Sequence, residues 1–234
     1  MNILYEDEYI IVIDKPSKMM VYPTPMARNC HWFATKELAK LGYAKLHTIH
    51  RIDRPTSGVL LFAKQKEMAK QMSLLFREGK VKKVYNCIVR GHTEAEGEIT
   101  KELKKDGEGD LQKAKTKYKT LQYFELDEEI SRYPQSRFSL LEVVPTTGRM
   151  HQIRRHFSHL RHPIILDIRY GDRHYNKFIK KQYEIENLML HAKILEFEHP
   201  QSKKLIKIEA SLPEYFLKLI SILNATNDTI PHQV

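Results

Sequence analysis

Cysteine is nearly absent: Cys30 and Cys87 are the only two in 234 residues. That excludes a disulfide scaffold, and without any C-x-x-C pair it also excludes zinc ribbons and thioredoxin-type redox motifs. Long hydrophobic runs are missing too. The longest, around Tyr9–Ile13 and Val59–Ala63, fall far short of the ~20 residues of a membrane span. The N-terminal stretch MNILYEDEYIIVIDKP is acidic where a signal peptide would be basic. There is no Gly-rich phosphate loop, internal repeat, low-complexity tract or Pro/Gly/Ser linker. The expectation is a reduced, cytoplasmic protein with one domain over residues 1–223, a polar tail over 224–234 and no membrane association.

Acid is scarcer than base. Lys and Arg number 39 against 29 Asp and Glu, a net charge of +10, which favours a polyanionic partner without naming one. The 41% hydrophobic content is globular, and a chain of this length builds a core without staples.

Periodicity gives the elements. Asn2–Tyr5 and Tyr9–Asp14 read as a hairpin closed by Pro16. His31–Leu41 reads as a short helix, Gly58–Ala63 as a buried strand, Lys66–Phe76 as a helix stopped near Gly79, and Lys83–Arg90 as a strand. The stretch Lys101–Lys119 holds seven lysines against four acids and reads as a solvated surface hairpin or an exposed loop. Further strands are expected at Thr116–Leu126, Arg137–Val144, Leu188–Glu198 and Lys204–Ala210, and helices at Arg149–Leu160 and Leu212–Leu223. Grouped strands with few intervening helices argue an α+β fold with a mostly antiparallel sheet.

Two stretches carry chemistry. In HTIHRIDRPTSGVLLFAK, His47–Lys64, Asp53 sits among His50, Arg51 and Arg54 just before Pro55. Neighbouring guanidiniums favour the ionised carboxylate, which suits nucleophilic work or ion pairing and suits general-acid work poorly. A structural salt bridge fits the same spacing. In TTGRMHQIRRHFSHLRHPII, Thr146–Ile165, four Arg and four His occur with no acid. A helix there puts Arg149, Ile153 and His156 on one face, either as a phosphate site or as a solvated basic face with core histidines. The histidines His151, His156, His159 and His162 are spaced by five, three and three. That is no metal-ligand pattern, and no G-x-S-x-G elbow supports a serine hydrolase.

These residues resemble those of the RluA-type pseudouridine synthases. HRIDRPTSG, His50–Gly58, is similar to that family's H-R-[LI]-D…T-[ST]-G motif, and TGRMHQIRRH, Thr147–His156, to its G-R-x-H-Q-[IL]-R-x-H element. The opening ILYEDEYIIVIDKPSKMMVYP and the strand KKVYNCIVRG resemble two further family segments. The family usually has glycine where Lys18 and Leu166 stand, often histidine at Tyr22, and alanine at Cys87.

The resemblance implies isomerisation of a uridine within RNA to pseudouridine, with no cofactor and no metal. It implies that Asp53 is the catalytic carboxylate, with Arg149 as its ion-pair partner and Tyr85 as the active-site tyrosine. Arg51 would fill the place of the flipped base. Arg54, His151, Gln152, Arg154 and Arg155 are the further RNA-binding candidates, and Lys80–Lys83 a phosphate-contact candidate. The run RRHFSHLRHPII followed by YGD, Tyr170–Asp172, and LMLHA, Leu188–Ala192, together with Arg54-Pro55, is similar to a branch that acts on the T-arm stem of tRNA at uridine-65 and has no S4 RNA-binding domain. The expected partner is therefore RNA, tRNA before ribosomal RNA, and the expected state a monomer. A hydrolase releasing uracil and a catalytically silent RNA-binding protein are the alternatives.

Overall fold

The computed structural model describes residues 1–24, 30–105, 109–130 and 135–227. Its elements in chain order begin with β1 (Asn2–Glu6), β2 (Ile10–Lys15), α1 (Ala34–Lys40), β3 (His47–Thr48), β4 (Ser57–Ala63), α2 (Lys66–Arg77) and β5 (Lys82–Arg90). There follow β6 (Glu96–Ile99), β7 (Leu103–Lys104), β8 (Leu111–Gln112), β9 (Thr116–Leu126), β10 (Ser136–Pro145) and α3 (Gln152–His159). The chain closes with α4 (Arg173–Tyr183), β11 (Leu190–Glu198), β12 (Leu205–Glu209) and α5 (Glu214–Asn227). The fold is α+β, as the element pattern predicts. No helix among the described residues is long and apolar enough to cross a membrane.

The chain forms two compact units, Met1–Lys83 with His191–Ser211, and Val84–Leu190 with the chain from Leu212 onward. In the first, the strand order is β1-β2-β4-β11, with β12 on β11 and β3 on β4. β2 reads IIVIDK and β4 reads SGVLLFA. Their alternate side chains feed two cores, one around Ile10, Val12, Leu61 and Met72, the other around Ile11, Ile13, Leu38 and Phe62. A strand buried on both faces reads as a continuous apolar run, and this one pairs with β11 in parallel, His191 opposite Ser57. Gly58 is required there: a Cβ on it would lie 2.1 Å from the Ala192 carbonyl oxygen.

The second unit is an antiparallel sheet, β5-β10-β9-β6, covered by helices over a core that includes Phe124, Phe138, Phe157, Tyr175 and Phe216. The lysine-rich stretch before β9 contains the short β7–β8 ribbon, the hairpin reading of that segment. Helix α4 has no counterpart in the sequence reading. Its face buries only Tyr175 and Ile179, so its apolar signal is thin. What starts it is Asp172, whose carboxylate accepts from the His174 and Tyr175 amides, the usual N-cap arrangement. Helix α5 runs on to Asn227, so 224–227 are not tail; 228–234 lie outside the described residues.

Lys18 and Leu166, the two positions where the resemblance leads one to expect glycine, have left-handed backbones, with φ of 69° and 61°. A side chain there costs about 1 kcal/mol or more. At Leu166, burial of the side chain offsets this; the Lys18 side chain is exposed, so burial offsets none of it there. Lys18→Gly should therefore stabilise the protein by roughly 0.5–1 kcal/mol, net of the glycine's extra freedom when unfolded. Chemical denaturation checks this, and equal or lower stability contradicts it.

Candidate active site

Asp53 lies in the loop between β3 and β4 and is partly buried. The loop is tied at several points. His50 at its start accepts a hydrogen bond from the Leu61 amide through Nε2 at 3.0 Å and stacks on Phe76 with ring centroids 4.7 Å apart. Burial pushes its pKa down to about 3, with Lys83 adding to the shift, so His50 is a neutral clamp. The Thr56 amide donates to the Asp53 carbonyl at 3.0 Å, closing a tight turn. Ser17 Oγ donates to the Pro55 carbonyl at 2.7 Å, and Arg54 Nε donates to the Lys18 carbonyl at 3.2 Å. The loop's end is held by Ser57 and His191, Oγ to Nδ1 at 2.9 Å. His191 Nε2 faces the Ala210 carbonyl at 3.3 Å. A carbonyl only accepts, so Nε2 carries the proton and Nδ1 accepts from the serine. Burial lowers the pKa of His191 to about 4.

Arg51 and Arg54 are exposed. Arg51 also borders a cleft of about 300 Å³ with Tyr22, Thr48, Ile49 and His50. Of the Lys80–Lys83 group, Lys80 pairs with Glu78 at 2.7 Å, Lys82 is exposed, and Lys83 is partly buried with its pKa lowered by desolvation.

In the second unit, Tyr85 sits on β5 opposite Val143, partly buried against the core. Arg149 is exposed, and its Nε donates to the Lys113 carbonyl at 3.1 Å. It lies before α3, because the helix starts three residues later than the sequence pattern suggests, at Gln152. His151 holds a left-handed backbone at that start, φ 53°, and its Nδ1 is 3.0 Å from the Tyr170 hydroxyl.

Two RNA-binding expectations do not hold. Arg154 is buried and makes a bidentate ion pair with Asp167, at 2.7 Å and 2.9 Å. Asp167 Oδ1 also accepts from the Arg169 and Tyr170 amides, so the pair builds the turn before α4 and the guanidinium is not presented to a phosphate. Gln152 is also buried. Its Oε1 accepts from Thr147 Oγ1 and the Arg149 amide, and its Nε2 donates to the Lys115 carbonyl and Thr116 Oγ1. All its capacity is spent on joining the TGR turn to β9. His156 likewise bridges Thr116 Oγ1 and the Lys101 carbonyl, a core histidine. Arg155, partly buried, donates to the Lys104 carbonyl at 3.0 Å and remains the residue of this helix nearest the expected role.

Asp167, Ser57 and His191 were not singled out by the sequence reading, although signals existed. Asp167 is the first acid after the acid-free run, the natural partner for a buried arginine, and His191 belongs to the LMLHA segment. No group of three or more metal-ligating side chains occurs among the described residues.

The family model described as RNA pseudouridylate synthase matches residues 9–159. The chain belongs to the RNA pseudouridylate synthase family. It is 36% identical to the tRNA pseudouridine synthase C of Vibrio parahaemolyticus, over 94% of both chains. It is 39% identical to that of Pasteurella multocida, over 96% of both, and 40% identical to that of Haemophilus ducreyi, over 94% of this chain and 95% of the relative. The solved structure of human RNA Pseudouridylate Synthase Domain Containing 4 superposes with a TM-score of 0.71 at 25% identity, covering 95% of this chain and 92% of that one. The human Domain Containing 1 protein shares the fold, with a TM-score of 0.72 at 21% identity and coverage of 97% and 94%. Pseudouridylate synthases are RNA isomerases, and this chain is an enzyme of that class.

Two predictions follow from the geometry. Arg154→Ala leaves a buried carboxylate without its partner and should cost about 3–5 kcal/mol of stability. Urea unfolding measures it, and a loss below about 1 kcal/mol would show that the pair is not structural. His191 and His50 are neutral when folded and titrate near pH 6.5 when unfolded. Between about pH 6.5 and about pH 4 the unfolded chain binds more protons, so stability falls as pH falls. Calorimetry should show Tm dropping from about pH 7 to about pH 5, with a shallower drop for His191→Gln. A flat Tm for the wild type contradicts the buried neutral histidines.

Proposed function

We propose that this enzyme converts a uridine of tRNA to pseudouridine, in the T-arm stem at uridine-65. The observation that carries the reading is near full-length identity of 36–40% to relatives named tRNA pseudouridine synthase C. The exposed Arg51 and Arg54 beside Asp53 and the net charge of +10 agree with a polyanionic substrate.

In this reading Asp53 carries the chemistry. The N1–C1′ glycosidic bond breaks as the ionised carboxylate either attacks the electron-poor ribose or takes a ribose proton. The uracil turns, a C5–C1′ bond forms, C5 loses a proton and N1 gains one. Atoms and electrons balance without a redox partner. Tyr85 supplies a ring to stack on the uracil and a hydroxyl near the C5 proton, and Arg149 supplies positive charge to the carboxylate. Arg51, planar and exposed, stacks in the space left by the flipped base. Arg54, His151 and Arg155 are assigned to the RNA backbone. The enzyme acts as a monomer in the cytoplasm, with residues 1–223 as its catalytic part.

Asp53→Asn tests this. The variant should form no pseudouridine in transcribed tRNA, as read by chromatography of nuclease digests, while its affinity for tRNA stays within a few-fold of wild type. Pseudouridine formed by Asp53→Asn protein free of deamidation contradicts the role of Asp53. Wild-type protein that modifies ribosomal RNA and leaves tRNA unchanged contradicts the substrate.

A further inference from the structure

The cleft beside Arg51 has a volume of about 300 Å³ and is lined by Tyr22, Thr48, Ile49, His50 and Arg51. All five belong to the first unit. The volume lies at the lower end of small-molecule sites and suits a single small ring system. Tyr22 is half-buried, its ring packed against the core that holds Ile11, Ile13 and Phe62. Ile49 packs against the other core, around Val12 and Leu61. Both apolar walls are therefore anchored from behind. Nothing in the resemblance or in the reaction assigns Tyr22 or Thr48 a task.

The polar groups of the lining are unspent. Among the described residues, the hydroxyls of Tyr22 and Thr48 make no hydrogen bond, and neither does the Nδ1 of His50. His50 Nε2 accepts from the Leu61 amide at 3.0 Å, so that nitrogen carries no proton. The ring is neutral, its pKa taken down to about 3 by burial. Nδ1 then holds the proton and can only donate. The cleft thus offers an aromatic ring, an aliphatic wall, one obligate donor, two hydroxyls of either sense and one cation, Arg51. A phosphate is best met by several cations or a row of amides, and here the histidine is locked uncharged between apolar walls. A planar, uncharged heteroaromatic ring that carries acceptors matches the whole set. In RNA that ring is a nucleobase.

We propose that this cleft is a second base subsite: it takes the nucleobase next to the target uridine in the RNA strand, stacked on Tyr22 and accepting from His50 Nδ1–H. The inference rests on the reading that a uridine is extruded from RNA with Arg51 in the space it leaves. Arg51 also borders the cleft, which puts the cleft one nucleotide from the target. Extrusion strips one stacking face from each neighbouring base, and an aromatic ring restores it. Splayed bases are where proteins read RNA sequence, so the subsite reads the nucleotide beside the target as well as holding it.

The test is a cycle between protein and RNA. Wild type, Tyr22→Ala and Tyr22→Phe are assayed on a T-arm stem-loop RNA and on the same RNA made abasic at the nucleotide before or after the target uridine, with kcat/KM for pseudouridine as the readout. On intact RNA, Tyr22→Ala should lower kcat/KM roughly 5- to 100-fold, the scale of one base stacked on one aromatic ring. Tyr22→Phe keeps the ring and should lose less. One of the two abasic RNAs should cost the wild type a similar factor, and on that RNA Tyr22→Ala should add less than about twofold. Tyr22→Ala that matches the wild type on intact RNA overturns the inference. So does a Tyr22→Ala loss that is as large on both abasic RNAs as on the intact one, which would place the ring against the RNA backbone. If Tyr22→Ala does not fold, the wild type decides: both abasic RNAs converted as well as the intact RNA overturn the subsite. Wild-type protein that forms no pseudouridine in the intact RNA would instead overturn the reading on which the inference rests, whereas normal conversion with independent losses overturns the subsite alone.

Discussion

A carboxylate proposed to react from a loop must be held as firmly as one on a strand, and the rest of the candidate site depends on how that is done. Asp53 has no regular element under it. Its loop is secured by polar contacts to strands on either side in sequence: Lys15 at the end of β2 and Ser17 just after it, Ser57 with His191 at the entry to β4, and His50 on the Leu61 amide. Strands β2 and β4 supply the rigidity, being almost wholly buried and apolar. The contacts involve neutral histidines, two hydroxyls and one buried ammonium. Such groups are costly to bury unless each finds a partner, and each does.

The basic helix α3 shows that positive charge in a sequence does not by itself mark an RNA-binding face. Its polar residues are shared between two tasks. Gln152, Arg154 and His156 point inward and bind the helix to Asp167, Thr116 and the carbonyls of the lysine-rich segment. Arg149 and Arg155 lie nearer the surface and also hold carbonyls of that segment, at Lys113 and Lys104. Much of what reads as a basic stripe is thus internal scaffolding, and the exposed lysines of the segment it supports are a separate source of positive surface.

The elements with strong periodicity were legible from sequence, and their ends fall within a few residues of the expectation at β2, β4, α2, β9 and β10. Helix α4 was not, because two buried side chains in eleven residues leave almost no period and its start depends on the Asp172 cap. The start of α3 was placed too early because a left-handed residue, His151, interrupts what looks like continuous helix. The family was legible because local motifs carry it. Lys15, Asp167 and His191 were not, because their meaning lies in partners 13 to 134 positions away along the chain, a pairing that a linear pattern does not show. The left-handed backbones of Lys18 and Leu166 follow the same logic: each turn takes a shape that glycine would adopt more easily, and a linear pattern does not show it.

The central claim is that this chain modifies one tRNA uridine. Mapping pseudouridine at single-nucleotide resolution in tRNA and ribosomal RNA, from cells with the gene intact, deleted, and restored as wild type, tests it most directly. The account predicts one T-arm stem pseudouridine that disappears on deletion and returns on restoration, with the ribosomal RNA map unchanged. A tRNA map identical in all three strains, or losses confined to ribosomal RNA, would contradict it.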